Sequence, residues 1–302
     1  MLWVEPSAAC NLSCDGCPTA AGRGGGVMSL DNFKRLLDNI PKSVKLLNLW
    51  HRGEPLAASD FPEMVALATD RGIRTQTHTN GTLLAKAGLA QRIVRSRLNR
   101  ISIGVDGPDQ ETFIHYRTGG RLSDVEEGIR ALVEQRQGAG SKFPKIFVEC
   151  LVGRQSADQF RRVKEMTMNW GIDSIRFKTY RVPDLSPVEI VVKWLPDDPK
   201  LWRYKQNNGR LIPKKLYNIC LRISWSALIA YNGDVLPCCF DAEGKFILGN
   251  IFEQPLGEIR TGEKFEQFRR VVMKRGDKKP AMCQNCTEGL RRLYLPERLV
   301  FG

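Results

Sequence analysis

Seven of the nine cysteines fall into two groups whose spacing can hold metal. Cys10, Cys14 and Cys17 form a C-x3-C-x2-C triplet, and Cys220, Cys238, Cys283 and Cys286 form a later set that ends in a CxxC pair. Three thiolates can hold three irons of a cubic [4Fe-4S] cluster and leave the fourth iron open to a small molecule, whereas a structural zinc closes its fourth position. A zinc knuckle or chance clustering gives a similar triplet. Four thiolates close a site, so the later set suits a zinc ribbon or a fully ligated [4Fe-4S] cluster, and spacing alone does not separate the two. Cys150 alternates with Val148 and Ile146, as a small buried hydrophobe would. Cys239 directly follows a candidate ligand.

The residues around these groups read as alternating strands and helices. Strand-like segments at 2–8, 44–50, 73–79, 100–106, 145–152 and 174–181 are separated by helical ones. Leu30, Phe33, Leu36, Leu37 and Ile40 make one helical face behind a Ser29 N-cap. Ser123 and Glu126 stand in capping-box spacing ahead of Ile129, Leu132 and Val133, and Phe160, Val163 and Met166 mark a later helix. This βα rhythm predicts an α/β fold with a parallel sheet, either a partial or full barrel or a doubly wound sheet. In each of these, chemistry gathers at the carboxyl ends of the strands, where the first cysteine triplet falls. Five prolines punctuate 183–219, which reads as a bridge. Beyond it, Asn232-Gly233 predicts a type I′ hairpin just before Cys238, and a closing helix runs from about Phe265 to Lys274.

Composition removes several classes. The chain has 302 residues, 42% hydrophobic and 26% charged, with no apolar run near the ~20 residues of a membrane span. Its opening lacks the basic and apolar regions of a secretory signal, so a cytoplasmic location is expected. There the cysteines would stay reduced and available to metal. A surplus of 13 positive charges is scattered without interleaved aromatics, and nucleic acid is not an expected partner.

Several motifs taken together resemble the radical S-adenosylmethionine (SAM) superfamily, in the branch with a twitch or SPASM-type C-terminal extension. They are CNLSCDGCP at 10–18, RGEPL at 52–56, HTNGTLL at 78–84, IGVDGPDQETFIHYRTGG at 103–120 and the late cysteines. The resemblance implies a partial (β/α)6 TIM-like barrel over 1–182, a bridging segment at 183–219 and a small hairpin/helix iron–sulfur domain over 220–302. It implies SAM and two [4Fe-4S] clusters, one bound by Cys10, Cys14 and Cys17 and one auxiliary cluster bound by Cys220, Cys238, Cys283 and Cys286. It further implies an external one-electron reductant such as flavodoxin or ferredoxin. Reductive cleavage of SAM then gives a 5′-deoxyadenosyl radical that abstracts a substrate hydrogen atom.

Gly53 and Glu54 match the element that holds the SAM ammonium, Thr79 and Asn80 face the same rim, and Arg117 matches a residue that pairs with the SAM carboxylate. The chain departs from the family at Gly16, where an aromatic residue near the adenine is common. It also departs at Gly104, where relatives often carry serine, which leaves Asp106 or Ser102 for the ribose. Trp50 and His51 precede the Gly-Glu-Pro turn and either face the substrate or pack in the core. Cys239 is a candidate hydrogen-atom donor to a substrate radical, an epimerase's requirement, or a spare ligand or buried neighbour of the cluster residue. The expected substrate is a small molecule, an alcohol-bearing sugar, aminocyclitol or glycoside undergoing epimerisation or dehydrogenation. The alternative is a ribosomally made peptide, disfavoured because no leader-binding domain is evident at the N-terminus.

Overall fold

The structure is a computed structural model that describes residues 1–17, 25–182, 192–274 and 279–297. Six strands follow one another in parallel: β1 (Leu2–Val4), β2 (Leu46–Leu49), β3 (Arg74–Thr79), β4 (Arg100–Gly104), β5 (Lys145–Val152) and β6 (Ser174–Thr179). Between them run α1 (Leu30–Asn39), α2 (Phe61–Asp70), α3 (Leu89–Arg95), α4 (Gln110–Tyr116), α5 (Leu122–Gly138) and α6 (Phe160–Asn169). This is an α/β fold whose strands curl as a partial, unclosed barrel.

Both edges of the six-stranded sheet are extended by later chain. β9 (Leu228–Ile229) pairs in parallel with β1, and β10 (Asp234–Leu236) and β11 (Gly249–Asn250) follow it antiparallel. At the other edge β12 (Tyr294–Leu295) pairs antiparallel with β6. The ten strands therefore form one mixed sheet. A separate hairpin, β7 (Tyr204–Asn207) and β8 (Arg210–Pro213), lies in the segment read as a bridge. The closing helices are α7 (Leu256–Thr261), α8 (Glu263–Met273) and α9 (Ala281–Gln284).

Strand alternation decides what each face of the sheet can do. In β5, Ile146, Val148, Cys150 and Val152 are buried in the main core with Val125, Ile129, Phe160 and Val163 of the helices. Phe147, Glu149 and Leu151 occupy the opposite, concave face. Cys150 is thus a core residue, as its alternation suggested. The Ser29 cap is present, accepting from the Asn32 amide at 3.1 Å.

Two local expectations need correction. The Ser123/Glu126 capping box does not form, because α5 begins at Leu122 behind Arg121, and this places Ser123 inside the first turn. Asn232-Gly233 does not make a type I′ turn. Asn232 keeps a negative φ while Gly233 has φ 89°, and Gly233 N donates to Ala230 O, so the loop is a three-residue one with glycine in the left-handed position. The two-residue turn sits instead at Asn208-Gly209, with φ 47° and 71°, closing β7 onto β8.

Candidate active site

The carboxyl ends of β1 to β4 converge on the first cysteine triplet. After β1 the chain turns at Ser7, whose hydroxyl bonds the Ala9 amide at 3.1 Å, and enters the loop carrying Cys10, Cys14 and Cys17. Three neighbours hold that loop. Glu54 N donates to Ala9 O at 2.8 Å, Ala8 N donates to Gly26 O at 2.9 Å, and Ser13 N donates to Thr118 O at 3.1 Å. Gly53 must be glycine at this crossing, since a Cβ there would stand 2.2 Å from Ser7 O and 2.6 Å from Ala9 O. The RGEP turn therefore lies flush against the cysteine loop.

Glu54 is buried and ties three segments together. Its carboxylate accepts from Leu56 N at 3.0 Å, Thr79 Oγ1 at 2.6 Å and Asn80 N at 2.8 Å. Burial raises its pKa against these donors. Asn80 reaches the cysteine loop itself, with Nδ2 3.8 Å from Cys10 Sγ and 3.0 Å from Asn11 Oδ1. Asn11 in turn donates to Thr82 Oγ1 at 2.8 Å. Gly53, Glu54, Thr79 and Asn80 are thus brought together around Cys10. Asn11 and Thr82 complete this network and carried no sequence signal beyond their place between motif residues.

Arg117 and Asp106 meet on the same rim. Arg117 Nε donates to Asp106 Oδ2 at 2.6 Å, Asp106 is buried and the Arg117 side chain is largely covered, and Asp106 Oδ1 accepts from Leu151 N at 2.7 Å. Burial would lower the pKa of Arg117, yet the Asp106 carboxylate and its other neighbours raise it. Gly104 is the seat of this guanidinium: a Cβ at that position would lie 2.1 Å from Arg117 Nη2. The glycine that departs from the family thus makes room for an arginine. Ser102 lies deeper in the sheet, accepting from Arg100 at 3.3 Å. Beside Asp106, a cavity of about 240 Å³ opens between Asp15, Tyr116, Leu151, Tyr180 and Trp194.

The donor set of the first loop fits an iron–sulfur cluster. Cys17 N donates to Cys14 O at 3.1 Å, so one tight turn carries both, and burial pushes the Cys14 thiol up to about 11, with Arg117 opposing and the charges of Cys17 and Cys10 adding to it. Among the described residues no three His, Cys, Asp or Glu groups are close enough to hold a single metal ion.

The second cysteine set lies across β1. Cys220, Cys238, Cys283 and Cys286 line one cavity of about 30 Å³, together with Arg222 and Glu288. Phe240 N donates to Cys238 Sγ and Lys215 Nζ to Cys286 Sγ, each at 3.4 Å. Such donors suit thiolate sulfurs. Cys239 faces elsewhere, 3.8 Å from Arg222 Nη1, its thiol pushed up by burial while Arg222, Arg181 and Lys178 pull it down.

Between the two sets lies the concave face. Glu149 accepts from Tyr294 OH at 3.0 Å and stands 3.4 Å from Lys178 Nζ and 3.7 Å from His78 Nδ1. Burial depresses His78 to about 4, reinforced by Lys178 and Arg117 and opposed by Glu149. Trp50 packs edge-on against Trp3, centroids 6.5 Å apart, and His51 is held to about 3 by burial and the Arg52 charge, its Nε2 without a hydrogen-bond partner. Glu149, Arg176, Lys178 and Tyr294 escaped notice in the sequence. The period-2 alternation of KIFVECLV and SIRFKTYR was the available signal for the first three, and Tyr294 had none.

The comparisons agree with this geometry. The profile described as the Radical SAM superfamily matches residues 4–154, and one described as an iron-sulfur cluster-binding domain, SPASM, matches 220–287. An AdoMet-dependent heme synthase of Methanosarcina barkeri is 31% identical, over 88% of this chain and 83% of its own length. The mycofactocin maturase MftC of Mycolicibacterium smegmatis is 26% identical, over 95% of this chain and 74% of its own. The crystal structure of BtrN in complex with AdoMet and 2-DOIA superposes with a TM-score of 0.58 at 19% identity, covering 95% of this chain and 92% of that one.

Proposed function

The chain belongs to the radical SAM superfamily, with a SPASM iron–sulfur region, and from that premise we propose that it takes a hydrogen atom from an alcohol-bearing carbon of a sugar, aminocyclitol or glycoside. The enzyme uses SAM, a [4Fe-4S] cluster and an auxiliary cluster. We assign the first to Cys10, Cys14 and Cys17 and the second to Cys220, Cys238, Cys283 and Cys286. When bound, these groups supply a 5′-deoxyadenosyl radical at the first loop and a one-electron acceptor at the second.

One observation carries the reading: the two cysteine sets flank a single polar face. β1 leads into the first loop, and β9, hydrogen-bonded to β1, leads through β10 to Cys238. The face between them offers Asn48, Gln76, Ser102, His78, Glu149 and Lys178, hydrogen-bonding groups matched to hydroxyls. A neutral His78 beside Glu149 can hydrogen-bond the hydroxyl of a substrate and orient it. For epimerisation, the Cys239 S–H donates a hydrogen atom to the substrate radical from the second-cluster side. We assign Gly53, Glu54, Thr79 and Asn80 to the SAM rim, with Arg117 for the carboxylate and Asp106 fixing Arg117.

The similarity to a mycofactocin maturase favours a second reading, modification of a ribosomally made peptide. For the first reading, Cys239→Ser and Cys283→Ala separate epimerisation from dehydrogenation. Under epimerisation, Cys239→Ser still cleaves SAM but no longer inverts the substrate, and unchanged inversion removes Cys239 from the mechanism. Under dehydrogenation, Cys283→Ala lowers product while SAM cleavage persists. Anaerobic analysis should count about eight irons and eight sulfides per chain, four of each from each cubane. A count of about four would leave the second site without its cluster.

A further inference from the structure

The concave face carries more positive charge than its acids balance. Arg100, Arg176 and Lys178 lie on this face of β4 and β6, Arg181 follows β6, and Arg222 lies over the Trp3 ring at 5.2 Å. Two carboxylates stand among them. Glu149 is already engaged by Lys178, His78 and Tyr294, and Glu288 faces Arg222 at 3.5 Å.

Arg100 and Arg176 are held in an arrangement that a folded chain rarely keeps without a counter-ion. Both guanidiniums lie against one ring, that of Phe147, with carbon-to-centroid distances of 4.9 and 4.5 Å. They come from the two strands that flank β5, Arg100 level with Lys145 and Arg176 level with Glu149, so each reaches Phe147 from two residues to one side of it. Arg176 also sits over Tyr294, at 5.6 Å. Arg100 bonds the Ser102 hydroxyl at 3.3 and 3.4 Å. Among the described residues no ion pair with a carboxylate joins either guanidinium. Cation–π contacts fix the two planes but neutralise neither charge. Two rigid forks of N–H donors on one aromatic support match the oxygens of a carboxylate or phosphate.

We propose that the substrate carries an anionic group, a carboxylate or a phosphate, that docks between Arg100 and Arg176. This rests on the concave face being the substrate chamber of a radical SAM enzyme. A packing role for the arginines predicts something different. If they only filled space on Phe147, removing one would weaken the empty protein, whereas two cations that repel each other and lack an ion-pair partner among the described residues predict that removing one leaves the empty protein as stable or more so.

The test uses the anaerobic, cluster-loaded protein with inorganic phosphate and malonate as probes, each compared with chloride at fixed ionic strength. Calorimetry and thermal denaturation are read for the wild type, Arg176→Gln and Arg100→Gln. The expected result is binding of one or both probes by the wild type, weakened about tenfold to a hundredfold in either variant, as losing a charge-assisted hydrogen bond predicts. With no probe present, the variants should melt at or above the wild-type temperature. Preference for phosphate or for malonate identifies the anion. Equal probe affinity in wild type and both variants, or no binding to the wild type, overturns the proposal. Formation of 5′-deoxyadenosine by the reduced wild type without substrate reports on the radical chemistry separately. If it persists while anion binding is absent, only the charge argument falls.

Discussion

Adding one methyl group at Gly104 should dislodge Arg117, and the size of the effect follows from the geometry. A Cβ there would lie 2.1 Å from Nη2 and 2.7 Å from Cζ, where ordinary contact begins at 3.4 Å. The guanidinium must retreat by the difference between 2.1 and 3.4 Å, about 1.3 Å. Its Nε then leaves the 2.6 Å bond to Asp106. Loss of a charge-assisted hydrogen bond costs about 1.5–3 kcal/mol. Unfolding entropy of about 2.1 cal/mol/K per residue gives about 0.6 kcal/mol/K for this chain, so Gly104→Ala should melt about 2.5–5 °C lower. A double-mutant cycle with Arg117→Ala isolates the cause: once the guanidinium is gone, the methyl group has nothing to displace and Gly104→Ala should cost little. Coupling of about 1.5 kcal/mol or more is expected from thermal or urea denaturation of the four proteins. Coupling below about 0.5 kcal/mol, the usual limit of additivity, would refute the placement of Arg117 over Gly104.

Gly53→Ala meets backbone rather than a movable tip, so the RGEP turn and the cysteine loop must part. About 1–3 kcal/mol of stability should be lost on urea denaturation, with lower iron content after reconstitution. His51 and His78, held to about 3 and about 4, are protonated more readily in the unfolded chain, whose histidines titrate near 6.5. Stability should therefore be full above about pH 6.5 and fall as pH drops toward 4, and replacing both histidines with glutamine should flatten that slope in denaturation curves taken across the range. A slope unchanged by the replacements would mean that the two imidazoles are not buried neutral.

What the sequence made legible was local and periodic. The six parallel strands followed from apolar runs spaced by helical faces, and the cysteine, Gly-Glu-Pro and Thr-Asn motifs landed on one rim because each ends a strand. The Ser29 cap formed as spacing required. The failures share a cause, the choice between alternatives that only tertiary packing makes. Of the three Asn-Gly dipeptides, the one at 208–209 makes the two-residue turn, with Asn207 opposite Arg210, while the one at 232–233 sits in a three-residue loop between Ala230 and Asp234. Ser123 lost its capping role because Leu122 is buried as the helix's first residue. The Arg117–Asp106 pair joins residues whose motif suggested separate cofactor contacts. The joining of β9 to β1 had no local signature, since each edge is only a few residues long.

That edge pairing bears on how the protein is made. Trp3 and Val4 align with Leu228 and Ile229, so β1 has no neighbour on that side until the ribosome has entered the last quarter of these 302 residues. Until then an apolar ribbon stands exposed, a template for aggregation. A truncation ending before Leu228 would keep all three N-terminal cysteines and still leave this ribbon bare, so such a fragment should be prone to precipitate during expression whatever its metal content.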